Sequence, residues 1–293
     1  MIKATELLKN TVILSYSVHC WTNNGKANIA NIETEAEKSR LRVTKKLVDS
    51  DQLKAVRDYQ NKAKGWIKMR SVPAFFKDAL VLVKTDMVKE VEQKLNDSVN
   101  ETSELVEAFL AAYPAQKEAA KKALGNMYEE RDYPTANELR SSFGITWNWI
   151  ELNVSENLPD TIRARESKKL NDMWENSIQE IIMALRTGFK EFVDHAVDRL
   201  TVKPGEKAKT FRDSLIPNFQ QFLDTFSARN VVNDAELAVL VDKAKKLISG
   251  VSPEDLRDDT KLRDFTAKKF AELKKSVDEA VTTATRKFDF SDK

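Results

Sequence analysis

Hydrophobic positions recur along most of this chain at helical spacing, and at alternate residues in a few short stretches. Residues 11–21, TVILSYSVHCW, place Val12, Leu14, Tyr16, Val18 and Cys20 on one side and Thr11, Ser15, Ser17 and His19 on the other. That two-residue period is the mark of a half-buried strand. Residues 143–151 alternate too, with Phe143, Ile145, Trp147 and Trp149 on one side. Residues 79–83, ALVLV, form a short apolar run bounded by charges. Together the three predict a small antiparallel sheet assembled from distant segments.

The rest reads as helix. One helix is predicted over 45–65, losing its pattern near Gly65. A second runs over 86–113, with Val88, Val91, Leu95, Val99, Thr102, Val106, Phe109 and Tyr113 on a stripe. Pro114 is expected to end or redirect it, because proline lacks the N–H and clashes with the preceding turn. A shorter helix over 115–130 would then turn back, making a helical hairpin. Thr135 and Glu138 have the spacing of a capping box after Pro134.

The clearest helix spans 160–200. Leu170, Trp174, Ile178, Ile181, Leu185, Phe189, Phe192, Ala196 and Leu200 are spaced 4-4-3-4-4-3-4-4. This eleven-residue repeat is close to the natural helical period, so the stripe stays on one side of a straight rod. Lys203-Pro204-Gly205 reads as its end. Three more helices are predicted, over 206–228 (kinked or split at Pro217), 234–249 and 260–287. Asn233 with Glu236, and Ser252 with Pro253, mark two starts. The expected fold class is α+β, predominantly α. It combines an α+β half over 1–157 with a helical bundle over 158–293, divided at Asn157-Leu158-Pro159, or forms one continuous body.

Composition supports long helices. Only seven glycines and seven prolines occur among 293 residues, about half of average usage. The 48 basic and 46 acidic side chains nearly balance, which suits helices with opposite charges interleaved on their wet faces. Cys20 is the one cysteine, so no intramolecular disulfide is available. No window of about 18 apolar residues suggests a membrane span, and the first apolar run is too polar for a secretory leader. The expected location is the cytoplasm.

Candidate chemistry is sparse. His19 and His195 are the two histidines, with Glu191 one turn before His195. A zinc site ordinarily needs three or four ligands. His19 and Cys20 are adjacent in a strand, so they face opposite ways and cannot serve one substrate atom. The seven glycines are scattered singly, which excludes Gly-rich phosphate loops. Gly188 inside the long helix is either tolerated or a place of close helix crossing. No catalytic, cofactor-binding or metal-ligating residue is therefore assigned, and no cofactor is expected.

One segment is skewed in charge. Residues 38–70 carry eleven basic against three acidic side chains, a net +8, with Trp66 and Met69 interleaved and Phe75-Phe76 following. Such a patch attracts phosphate backbones, and aromatics stack on unpaired bases. Lys45, Lys46, Arg57, Lys62, Lys64, Lys68 and Arg70 are the candidate contacts to nucleic acid or an acidic partner. Residues 77–107 run the other way, four lysines against eight acids. The alternative is that the two segments cancel within the molecule. Trp147, Trp149 and Trp21 are read likewise as core or as an exposed aromatic platform.

Three stretches carry a family resemblance: VILSYSVHCWTNNG (12–25), FLAAYP (109–114) and YPTANELRSSF (133–143). Over about residues 7–155 the chain resembles a family of uncharacterised phage and prophage proteins. Genes of that family often lie beside those for MoxR-like AAA ATPases and von Willebrand A domain proteins. The resemblance thus implies a bacterial host and an ATPase partner. It brings no catalytic residues with it. The expected function is a non-enzymatic helical adaptor or scaffold acting through protein–protein contacts; the alternative is a nucleic-acid binder using residues 38–70.

Overall fold

The computed structural model describes residues 4–77, 79–202 and 215–291. The fold is α+β and predominantly helical, with a four-stranded sheet, a two-stranded sheet and several long helices. By contact the chain divides into two compact units. The first comprises Met1–Ser15, Lys68–Val88 and Trp149–Lys293; the second comprises Tyr16–Ile67 and Lys89–Asn148. Neither is one continuous stretch, so this partition differs from a linear cut at residue 157.

In the first unit a short helix α1 (Ala4–Asn10) leads into strand β1 (Thr11–His19), whose residues from Tyr16 onward belong to the second unit. The strand's first half pairs antiparallel with β5 (Leu80–Lys84), in the register Thr11↔Lys84 to Ser15↔Leu80. A two-residue strand β4 (Val72–Pro73), not foreseen in the sequence, flanks β5. With β6 (Gly144–Ile150), the sheet order is β4-β5-β1-β6. The strict alternation predicted for β1 fails at its start, where neighbouring Ile13 and Leu14 are both buried.

The core of this unit is built on α5 (Asp160–Leu200), which has the predicted bounds. Trp174, Ile178, Ile181, Leu185, Phe189, Ala196 and Leu200 are buried as the eleven-residue stripe requires; Leu170 and Phe192 are half-buried, and Val193 is buried beside Phe192. Phe189 and Phe192 stack on Phe219 and Phe222 of α6, which is described over Leu215–Arg229. Pro217 lies in that stretch without splitting it. The predicted stop at Lys203-Pro204-Gly205, and the predicted helix before Leu215, lie outside the described residues. Helix α7 (Ala235–Ile248) is capped by Asp234, whose carboxylate accepts from the Leu237 N–H. The expected start at Asn233 is off by one: Asn233 has φ 51° and forms the left-handed turn before the cap. Ser252 and Asp255 make a capping box on a short α8 (Pro253–Asp258), and a separate helix α9 (Thr260–Ser291) then runs along α5.

Charges join these helices. The Arg186 guanidinium on α5 makes a two-pronged pair with Asp234 (2.7 and 2.9 Å), reaches Glu236 (2.8 Å) and donates to the Ala280 carbonyl on α9 (2.6 Å). Burial alone would lower its pKa, but the two carboxylates hold it above the ordinary arginine value. One turn further, Lys190 and Asp194 of α5 interlock with Lys274 and Asp278 of α9 in a square of alternating sign.

The second unit packs α2 (Asp51–Lys68), α3 (Val88–Leu124) and α4 (Ala136–Ser141) around Phe109, Val56, Val106 and Leu139. Helix α2 starts six residues later than predicted, because Thr44–Lys46 form strand β3, paired with β2 (Asn24–Lys26). Neither short strand alternates long enough to be legible. Helix α2 also runs through Gly65, since Leu53, Val56, Gln60, Ala63 and Ile67 maintain a buried 3-4-3-4 stripe.

The larger correction concerns Pro114. Helix α3 does not end or turn back there but continues for ten more residues. Leu110 and Tyr113 before the proline and Ala120 after it are all buried. Packing on both sides of Pro114 outweighs the loss of one backbone hydrogen bond, which costs about 3 kcal/mol at most exposed helix positions. The predicted capping box on α4 is present, Thr135 Oγ1 meeting the Glu138 N–H and the Glu138 carboxylate meeting the Thr135 N–H.

Candidate functional site

The second unit carries an open groove of about 420 Å³. One wall is the C-terminal half of α3. Ala112, Ala115, Ala119 and Ala123 recur there at 3-4-4 spacing, and Ala115, Ala119 and Ala123 are exposed. The other wall is the segment Lys46–Asp49 with Gln52 at the start of α2. Leu47 and Val48 line it and are almost fully buried.

That second wall is held rigidly. Asn23 is buried in a left-handed conformation (φ 56°); its side chain donates to the Val48 carbonyl (2.8 Å) and accepts from the Val48 N–H (2.9 Å). The Leu47 N–H donates to the Asn23 carbonyl, and the Tyr133 hydroxyl donates to the Leu47 carbonyl (2.9 Å). Gly25 sits against the same segment: a Cβ there would fall 2.8 Å from Leu47 Cδ2 and 3.1 Å from an Asp132 oxygen. At the mouth, the Gln116 amide donates to the Gln52 side chain (3.0 Å), and the buried Gln116 Oε1 has no donor among the described residues.

The basic segment is dispersed. Lys45 is buried, with its Nζ 2.7 Å from the Asp132 carboxylate and bonded to the Met127 carbonyl. It is a structural ion pair and cannot reach a nucleic acid. Lys46 is exposed and paired with Asp49. Arg57 donates to the Trp21 carbonyl (2.8 Å) and is half-buried. Lys62 is exposed and Lys64 half-buried on α2, alongside Asp51 and Asp58. Lys68 and Arg70 belong to the first unit, Lys68 exposed and Arg70 half-buried. Lys45 and Lys46 pair with Asp132 and Asp49, both outside the acidic 77–107 segment, while Glu107 of α3 is held by Arg140.

The aromatics and the single-residue candidates resolve as follows. Trp21 packs on Phe109 and edge-on to Tyr113 in the unit's core. Trp147 donates to Glu92 (2.8 Å). Cys20 lies just past the end of β1, half-buried rather than in the core, and His19 is exposed. His195 and Glu191 are exposed on α5. A Cβ at Gly188 would meet nothing within 4 Å, so no close helix crossing occurs there. Among the described residues no three His, Cys, Asp or Glu side chains cluster as metal ligands, and no helix is long and apolar enough to cross a membrane.

Titration behaviour fits structural pairing. Tyr113 is pushed up to about 12, by burial first and then by the charges of Tyr133 and Glu130. Burial and the Glu130 carboxylate raise Tyr128, while hydrogen bonds from Lys117 and Tyr128 lower Glu130. These shifts move the groups away from neutrality, opposite to what a general acid or base needs.

The groove was missed in the sequence because its alanines span Pro114. Cutting the helix there removes the face on which Ala112 and Ala123 align. Comparison with protein-family models, with curated proteins and with solved structures returns no match.

Proposed function

We propose that this protein is a non-enzymatic adaptor that seats a helix of a protein partner in the alanine-lined groove of its second unit. The row of half-buried Ala112 and exposed Ala115, Ala119 and Ala123 carries the reading. Small side chains let two helix backbones approach closely, and an apolar floor with a polar rim is how amphipathic helices are recognised in grooves. The rigid Asn23-clamped wall limits the ordering cost of binding. The resemblance to phage and prophage proteins supplies the partner to try first, a MoxR-like AAA ATPase in the cytoplasm of a bacterial host.

The test is affinity capture from the native cell with nuclease present, comparing the wild type with Ala119→Arg. Arginine is a good helix former at an exposed site, so the fold is retained while the groove is blocked. A protein held by the wild type and lost from the variant supports the reading. Equal capture by both overturns it. The nucleic-acid alternative is weaker because Lys45, Lys46 and Arg57 already have partners. It predicts salt-sensitive DNA or RNA binding that Lys62→Glu abolishes.

A further inference from the structure

We infer that the first unit holds a binding cleft for a small, neutral, mainly hydrocarbon molecule that carries a carbonyl oxygen. The cleft measures about 410 Å³, within the range of ligand sites. At roughly 30 Å³ per water-sized group it has room for about a dozen non-hydrogen atoms. Leu8, Val12, Ile150 and Leu152 give it an apolar lining. Leu8 is 37% exposed, an unusual position for leucine that places an apolar side chain at the open side.

Trp174 closes the cleft from α5 and supplies the polar clue. It is 0% exposed, yet its indole N–H has no acceptor among the described residues. Indole nitrogen only donates, and a buried donor without an acceptor costs about 1–3 kcal/mol. Phenylalanine or leucine would fill the stripe position without that penalty. The unpaired N–H is matched to an acceptor that a ligand brings.

The other polar lining residues are Thr11, Thr85, Trp149, Glu151 and Asn153. Thr11 and Thr85 both line the cleft and commit their hydroxyl protons inward, to the Leu7 carbonyl (2.8 Å) and the Asn10 carbonyl (3.4 Å). They therefore present acceptors. Glu151 is the one charged lining residue. No lysine or arginine is among the described lining residues, so a carboxylate ligand would face the Glu151 charge without a counter-ion there. A ketone-type oxygen satisfies the indole without that repulsion.

Saturation-transfer NMR on the full chain tests this with 2-octanone and octanoate as probes. Transfer to 2-octanone is expected, with at least five-fold weaker transfer to octanoate. Trp174→Phe should weaken 2-octanone binding at least five-fold while circular dichroism stays native. Should that variant unfold, Leu8→Arg, at an exposed position, decides: loss of binding supports the cleft and unchanged binding overturns it. Absence of transfer from the wild type to 2-octanone, equal binding of octanoate, or undiminished binding by folded Trp174→Phe each overturns the inference.

Discussion

Replacing Arg186 by methionine removes a cation that joins α5, α7 and α9 in the first unit. The guanidinium side chain is 9% exposed and its main partner Asp234 only 5%, whereas Glu236 is 55% exposed and can rehydrate. Methionine keeps most of the aliphatic volume, so the loss is electrostatic rather than a cavity. It leaves the Asp234 carboxylate buried without a counter-ion and removes the side-chain donor that the Ala280 carbonyl has beyond the α9 ladder. Breaking a buried pair from one side costs about 3–5 kcal/mol, a large part of a typical domain's stability. The rescue follows from the second role of Asp234. Asparagine caps helices about as well as aspartate, so Asp234→Asn retains the bond from the Leu237 N–H and discards the charge. The double variant Arg186→Met/Asp234→Asn should therefore lie within about 1–2 kcal/mol of the wild type, since apolar replacement of a whole buried pair is often neutral. Urea unfolding measures the differences, and hydrogen exchange of the first-turn amides of α7 reports the site locally. A loss below about 1 kcal/mol for Arg186→Met, or a double variant as unstable as the sum of the singles, would refute the reasoning.

Other outcomes follow from the same structure. Gly25→Ala should lower stability by about 1–3 kcal/mol, because its methyl would meet buried Leu47 at 2.8 Å; a thermal midpoint equal to wild type would contradict this. Pro114→Ala should raise the urea midpoint, by up to about 3 kcal/mol less the entropy restored to the unfolded chain, and unchanged or lower stability would show that α3 needs the proline. The square of Lys190, Asp194, Lys274 and Asp278 should fade at both pH extremes. Burial would raise the Asp194 carboxyl, but hydrogen bonds from Lys274 and Lys190 hold it below the ordinary value. Its contribution is present above the unfolded pKa of about 3.9 and lost as pH falls through the folded one. Lys190 is raised, by hydrogen bonds to Asp278 and then Asp194. Its contribution is present below the unfolded pKa of about 10.4 and lost as pH rises through the folded value. Melting curves over pH 2.5–6 should fall more steeply for wild type than for Asp194→Asn; parallel curves would exclude the square as a source of acid sensitivity.

Long-range order along one helix was legible in the amino-acid sequence. The stripe from Trp174 to Leu200 identified α5 with its bounds and buried face, since a rod buried along one side repeats its apolar positions at the helical period. The capping box at Thr135 was legible for a similar reason, its bonds joining residues three apart, whereas at Ser252 the sequence marked a helix start with Pro253 and not the box with Asp255. The two alternating segments and the apolar run at 79–83 likewise predicted strands, though not the two-residue β4 or the short pair β2–β3. What the tertiary structure decided was which local preference yields. Packing by Leu110, Tyr113 and Ala120 carried α3 through Pro114 and so created the alanine row. Asp132, 87 positions away, drew Lys45 inward and dispersed the basic segment. Such choices rest on burial between residues far apart in the chain, whose free energy exceeds the local propensities that a linear reading can weigh.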